Sequence, residues 1–465
     1  MDIQEILTLP LEDALKLLAV DIGDKEKGIA ENRKAYAGDH EILHDPNRTN
    51  TETGDTAATK RVVKHTKEVI NYQRRIVNSA VTFLFGEPVT LVLNNKQEKA
   101  LDAINALWKQ NKLDYVNKAI ARDLFVECKA AEVWNIPKKI PGQPARVRVT
   151  VLGMRNGYRF YPHYDEYGDM DAFTVLFTTT GGDGKPVENA KIYTASNIIH
   201  ATKKAAGAGW TEESNVVHDI GKIPVVYYEQ DVPEWQGVET QIGRDEDLVS
   251  NFADTNDYFG APVLQSKGII DNLPKKEDSG KVVTVRPETD DTGKVTYPGG
   301  IEFITWANAP AAIELEHKML KDMIYSLTQT PDLSFSNVKG ISAISGIALR
   351  LMFSDALFKS RDKQEIFGPA LDRRISVMKA VLAVADTGMR TQLEDADIDV
   401  IFNDVLPEDT ESIIKSLSIA RGGEPIISTE TAVSACPFVK DTAAEVERLE
   451  KEQGALQNLG ESYEA

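Results

Sequence analysis

An α+β fold is predicted for this 465-residue chain by three observations. Two stretches with helical spacing, from Trp235 and from Pro310, bracket a segment, Ala261–Asn308, with strand-like runs and no helical period. A period of two governs much of the chain from Arg146 to Thr194, as in half-buried strands. A very long helical pattern then runs from Gly346 to Thr387.

In the first bracketing stretch Trp235, Val238, Ile242, Asp245, Val249, Phe252, Asn256 and Phe259 recur at alternating intervals of three and four, which lines one side of a helix. Gly260-Ala261-Pro262 ends it. In the second, Ile313, Leu320, Ile324 and Leu327 fall on one line, and Leu315, Met319 and Met323 on a neighbouring one. Two helices that leave a body, exchange chains at a small β tip and return make a stalk. Its apolar faces exceed what two helices can cover, so the pattern points to a ring or bundle of copies.

The body begins with helical patterns over Ile3–Val20 and Lys25–Tyr36, then a polar loop, Asp45–Thr59. Lys60–Phe85 reads as a strong helix, with Val63, Thr66, Ile70, Ile76, Val77, Ala80, Val81 and Leu84 inward and Gly86-Glu87-Pro88 as its stop. Val89–Leu93 reads as a short strand, and Gln97–Gln110 and Tyr115–Ala131 as helices. Arg146–Leu152, Tyr158–Tyr164, Ala172–Thr179 and Lys191–Thr194 are strands, the last two joined by a turn at Gly181-Gly182-Asp183-Gly184. Lys222–Glu229 is extended. Lys281–Arg286 and Ile301–Trp306 are the strands expected in the insert. After Thr330-Pro331-Asp332 comes a loop rich in serine and glycine, Leu333–Ser345, then the long helix, with a kink expected at Gly368-Pro369. From Pro407 the tail holds two or three shorter helices.

Lys and Arg number 53 against 72 Asp and Glu, a formal charge of −19. Such a surface repels phosphates and argues against tight nucleic-acid binding, but it suits a wall past which DNA slides. Hydrophobic residues make up 42%, enough for packed cores. No run approaches the roughly 20 apolar residues of a membrane span, and Met1-Asp2-Ile3-Gln4-Glu5 does not open a signal peptide. A soluble protein made in a cytoplasm is expected. Cys128 and Cys436 are the only cysteines; they exclude a disulfide framework and read as buried small hydrophobes.

Chemistry is hard to find. Gly181–Lys185 lacks the spacing and the Ser/Thr of a phosphate loop, and proline follows its lysine where a helix should begin. His40 and His44 read as a surface pair without an acid partner for metal binding. Glu127-Cys128-Lys129 matches half of a nuclease carboxylate–lysine motif, within a segment read as helical. No Gly-x-Ser-x-Gly elbow occurs. The expectation is a non-enzyme with no metal and no cofactor. Lys60, Arg61, Lys64, Lys67, Arg74 and Arg75 read as a solvated or ion-paired face, with DNA contact as the minority reading. Lys339, between Asn337 and Gly340 in the loop, is better placed to touch a phosphate and release it.

Phe83-Leu84-Phe85-Gly86-Glu87-Pro88-Val89 after a long helix resembles a signature of tailed-phage portal proteins, of the type found in siphophages of Gram-positive hosts. The order of further segments is similar: Gly221–Val226 before the stem, Ser250–Asp257 late in its first helix, and Pro331–Phe335 followed by Ser345–Leu349 around a tunnel loop. Ile427–Thr431 and a late Glu-rich helix resemble the crown. The resemblance implies a wing over residues 1–234, stem helices at 235–259 and 309–329, and a β-rich clip at 260–308. It also implies a tunnel loop at 330–345, a return to the wing through the long kinked helix and a strand at 346–404, and a crown at 405–465. It implies a ring, dodecameric in the virion, at one capsid vertex, which conducts double-stranded DNA without sequence preference during packaging and ejection. Implied partners are the terminase large subunit, the head–tail connector, and the major capsid and scaffolding proteins. Assembly would take place in the host cytoplasm, with no membrane involved. Ser334, Phe335, Ser336, Asn337, Val338, Lys339 and Gly340 would then face the channel. Val238, Ile242, Val249, Phe252, Phe259, Ile313, Leu320, Ile324 and Leu327 would pack the stem. The competing readings are a nucleic-acid-processing enzyme with the hairpin as its oligomerisation arm, and a cellular scaffold.

Overall fold

The computed structural model describes residues 2–20, 25–53, 61–135, 146–153, 157–182, 184–204, 209–259, 263–271, 283–304, 310–332, 350–406, 410–422, 425–436, 438–439 and 442–461. Helices and antiparallel sheets are mixed along the chain, as the α+β pattern requires.

The expected helix over Ile3–Val20 is two helices, Ile3–Thr8 and Leu11–Leu18. Pro10 removes a donor and holds Leu9 extended, so no single helix can cross it. Ile3, Ile6, Leu15 and Leu18 cover Ala172, Ala190 and Ile192 on a five-stranded sheet. Its strand order is Thr211–Val217, Asn197–Lys203, Pro186–Tyr193, Met170–Thr180, Arg159–Tyr164, all antiparallel. Thr211–Val217 is exposed along its length and shows no alternation from which a strand could be read.

The main core joins helices Tyr72–Phe85, Glu98–Asn111, Leu113–Glu127 and Ser354–Ala385 to a three-stranded sheet. That sheet runs Val225–Glu229, Lys129–Asn135, Arg148–Leu152. Two sequence expectations need correction here. The helix expected from Lys60 begins only at Tyr72, capped by the Asn71 side chain, which accepts from the Arg74 N–H. Arg61–Val63 instead pairs as a strand with Thr51–Thr53. The helix expected to reach Ala131 ends at Glu127; Cys128 turns left-handed at φ 61° and a strand follows. Its helical spacing is overridden by sheet partners distant in sequence.

Arg374 lies fully buried in this core. Its Nε and Nη2 donate to the two Glu132 oxygens at 2.7 and 2.9 Å, and its guanidinium stacks over Trp108. The long helix continues through Pro369, with Phe367, Ala370 and Leu371 buried on either side of the missing N–H. After it, Ile398–Ile401 pairs with Thr90–Leu93 and closes the body. Helices Thr410–Arg421, Thr429–Ser434 and Thr442–Glu461 make up the tail.

The stalk helices are Glu239–Phe259 and Pro310–Leu327. The first starts after Trp235, because Gly237 sits at φ +89°. Trp235 and Val238 remain in the main core, so the stalk is rooted in the body. Between the helices lie three two-stranded pairings: Val263–Lys267 with Gly300–Ile304, Ile269–Ile270 with Val285–Arg286, and Glu288–Thr289 with Val295–Tyr297. Of the expected strand Lys281–Arg286 only Val285–Arg286 is seen, residues 281 and 282 lying outside the described residues. Residues 305 and 306 of the other do so as well.

Candidate functional site

The stalk is the feature from which a site can be built, and of the residues expected to pack it Val238, Ile242 and Ile324 lie in the main core. Val238, Ile242, Leu320 and Ile324 are buried. Val249, Phe252 and Ile313 are half-buried. Leu327 is 63% exposed, and the Phe259 side chain lies outside the described residues. The neighbouring line on the second helix faces solvent: Leu315 is 58% exposed, Met319 55% and Met323 40%. Spaced by four, Leu315, Met319, Met323 and Leu327 form one apolar stripe.

A second seam holds the first stalk helix to the body, and it is polar. Residues 64–70, in neither helix nor sheet, run beside it. The N–H groups of Thr66, Glu68 and Ile70 donate to Asp254 Oδ1 at 2.6 Å, Ser250 Oγ at 2.9 Å and Glu246 Oε1 at 2.9 Å. The periods match: two extended residues advance about 6.6 Å and four helical residues about 6 Å. Every second N–H of the strap therefore meets every fourth residue of the helix, running antiparallel. These N–H groups, left without a sheet or helix, are satisfied by side chains. Arg48 secures the far end, donating to the Thr66 carbonyl at 3.3 Å and to Asn251 Oδ1 at 2.8 Å.

Three histidines close on carboxylates of the same helix: His40 on Glu246, His317 on Asp245 at 2.6 Å, and His65 on Asp254 at 3.5 Å. Tyr72 donates to the other Asp245 oxygen at 2.8 Å; burial, then that carboxylate, push the phenol well above its usual range. Burial alone would lower the His40 pKa, but its bonds to Glu246 and to the Ala35 carbonyl outweigh it and raise the net value. The expected surface pair of histidines is thus corrected. His44 is exposed and bonded to Asp39, whereas His40 is buried against the stalk. The buried imidazole is held from both sides, by Glu246 and by the Ala35 carbonyl.

Ser334, Phe335, Ser336, Asn337, Val338, Lys339 and Gly340, the expected loop residues, lie outside the described residues. The flanks of the loop are described, and they meet at the Lys359 ammonium. Glu234, buried, binds Lys359 at 2.9 Å and also binds Lys363. The Lys359 ammonium donates in addition to the Thr328 carbonyl at 2.9 Å, at the end of the second stalk helix. Burial would raise the Glu234 pKa, but the two ammonium groups hold it below the usual carboxylate range. On the outgoing flank Asp332 accepts from Arg75 at 3.0 Å and Lys321 at 2.6 Å.

The remaining motifs are not brought together among the described residues. Glu127 ends a helix and pairs with Arg33 at 2.7 Å, while Lys129 opens a strand. Cys128 between them is half-buried rather than buried, and burial pushes its thiol up to about 12, away from thiolate reactivity. Cys436 is likewise half-buried. The Gly181–Lys185 segment closes a hairpin, the Gly181 N–H donating to the Lys185 carbonyl at 2.8 Å. Among the described residues no helix is long and apolar enough to cross a membrane.

A two-helix stalk rooted in an α+β body, tipped by β hairpins and carrying an uncovered apolar stripe, defines a structural subunit built to meet other chains. The chain belongs to the phage portal protein family, SPP1 Gp6-like, whose model matches residues 24–458, and its function is that of a phage portal protein. The portal protein of Bacillus phage SPP1 is 22% identical over 417 residues, covering 82% of this chain and 75% of that protein. Two solved structures are similar at low level. One is the neck of a native GTA particle computed with C12 symmetry, at TM-score 0.40 and 9% identity, over 78% of this chain and 90% of that one. The other is the virion of a native gene transfer agent particle, at TM-score 0.36 and 10% identity, over 88% and 92%.

Proposed function

We propose that this chain assembles into a closed ring of about twelve copies at one vertex of a phage head, as a passive conduit for double-stranded DNA. The carrying observation is the stripe Leu315, Met319, Met323, Leu327, which the chain's own fold leaves in water. Full burial of such side chains is worth roughly 1.5–3 kcal/mol each. A neighbour related by rotation covers the stripe of each copy, and a heterologous contact that closes makes a ring. The anchored face of the first stalk helix and the free face of the second give each subunit a fixed side and an adhesive side.

In this reading the loop at residues 333–345, with Lys339, faces the channel, and Glu234, Lys359 and Lys363 fix its base. The β-tipped end of the stalk docks the terminase during packaging and the head–tail connector afterwards. The capsid and scaffolding proteins surround the ring, in the host cytoplasm during assembly and in the virion later. ATP hydrolysis belongs to the terminase, not to this chain, and a host of Gram-positive type fits the portal signature at Phe83–Val89.

Electron microscopy of the purified chain tests this. End-on views should show rings with a central pore wide enough for a duplex. Uniform monomers at micromolar concentration in every buffer tried would overturn it.

A further inference from the structure

A cleft of about 420 Å³ lies on the outer face of the Tyr72–Phe85 helix, lined by Arg74, Asn78, Ser79, Thr82, Phe83 and Pro331, among others. Pro331 stands two residues before the loop assigned above to the channel. The chain carries a formal charge of −19, yet no carboxylate lines this cleft among the described residues. Arg75, which also lines it, is already paired with Asp332 and lies over the Tyr325 ring. Arg74 is exposed and has no ion-pair partner among the described residues. Asn78, one helical turn on, is exposed beside it.

We propose that this cleft is a second contact for the phosphodiester backbone of duplex DNA, with Arg74 as its cation and Asn78 and Ser79 as neutral donors. The inference rests on the conduit reading above and adds to it a site outside the loop. Arginine, asparagine and hydroxyl side chains over the first two turns of a helix are a donor set that holds phosphate oxygens without reading bases. The first turn of the helix adds its own positive end, on which the Asn71 side chain caps the Arg74 N–H. A protein carboxylate from another copy is the competing occupant. The neutral donors favour phosphate, since a lone carboxylate would be satisfied by the guanidinium alone. One cation per copy, repeated around an axis, gives many weak contacts that form and break in turn, which suits a duplex that must slide.

The test uses the full chain at low salt, with short fluorescein-labelled duplexes, one A·T-rich and one G·C-rich. Binding is read by anisotropy, and assembly by light scattering on the same samples. Arg74→Glu should weaken binding of both duplexes about tenfold and flatten the salt dependence, with particle mass unchanged. Asn78→Asp should weaken binding in the same direction. Unchanged binding in Arg74→Glu, or a loss for one duplex only, would overturn the proposal. A change of particle mass with unchanged binding per chain would overturn it too, and would assign the cleft to a contact between copies. If the wild type forms no rings, the conduit reading fails, but the effect of Arg74→Glu on duplex binding by the monomer still decides this site.

Discussion

The Lys359 ammonium lies 2.9 Å from Glu234 Oε2 and 2.9 Å from the Thr328 carbonyl, so one buried lysine joins the end of the stalk to the start of the long helix. Residues 329–353, which include the expected channel loop, are strung between these two fixed points.

Removing the carboxylate should therefore be costly. Glu234→Ala leaves the buried Lys359 and the half-buried Lys363 without their counter-charge, a defect worth about 3–5 kcal/mol. Denaturant unfolding of the variant should show it, and proteolysis within 329–353 should speed up. A stability loss below about 1 kcal/mol would mean that the lysines find other partners or reach water.

The strap along the first stalk helix makes a local prediction. Ser250→Ala deprives the Glu68 N–H of its acceptor in a protected seam, at a cost of about 1–2 kcal/mol. Hydrogen exchange at residues 66–70 should accelerate in this variant, while the main core stays protected. Unchanged exchange there would show that the strap is held by something other than the ladder.

The joint should also respond to pH, through His40. Its pKa is raised in the fold above the ordinary value of 6.5, despite burial, by its bonds to Glu246 and the Ala35 carbonyl. A group with a raised folded pKa stabilises fully below its unfolded pKa and loses that contribution as pH rises through the folded value. Stability measured from about pH 6 to about pH 8 should fall more steeply in the wild type than in His40→Gln. Parallel curves would remove His40 from the account. Glu246 and Asp39, the charges nearest its ring, carry over unchanged between the two proteins.

The stalk could be read from sequence because its spacing is helical and its ends carry glycine and proline. Trp235, Val238, Ile242, Leu320 and Ile324 are buried where that spacing puts them. The strap could not. Val63, Thr66 and Ile70 fit a helical period, but the acceptors for this segment sit on a helix about 180 residues later. One signal was available: Glu246, Ser250 and Asp254 repeat every four residues, a polar line on a helix otherwise read for its apolar one. The strand Lys129–Asn135 was hidden for the same reason, as both its partners are distant. Glu234, Lys359 and Lys363 carry no local pattern beyond the one-turn spacing of the two lysines.

The central claim is that the apolar stripe on the second stalk helix is covered by the next copy. Light scattering on wild type and Met319→Glu tests it most directly. Met319 is 55% exposed in the single chain, so the substitution should leave the unfolding free energy of the single chain within about 0.5 kcal/mol of the wild type. A ring-sized particle is expected for the wild type and a monomer or small oligomer for the variant. Identical large particles from both would contradict it.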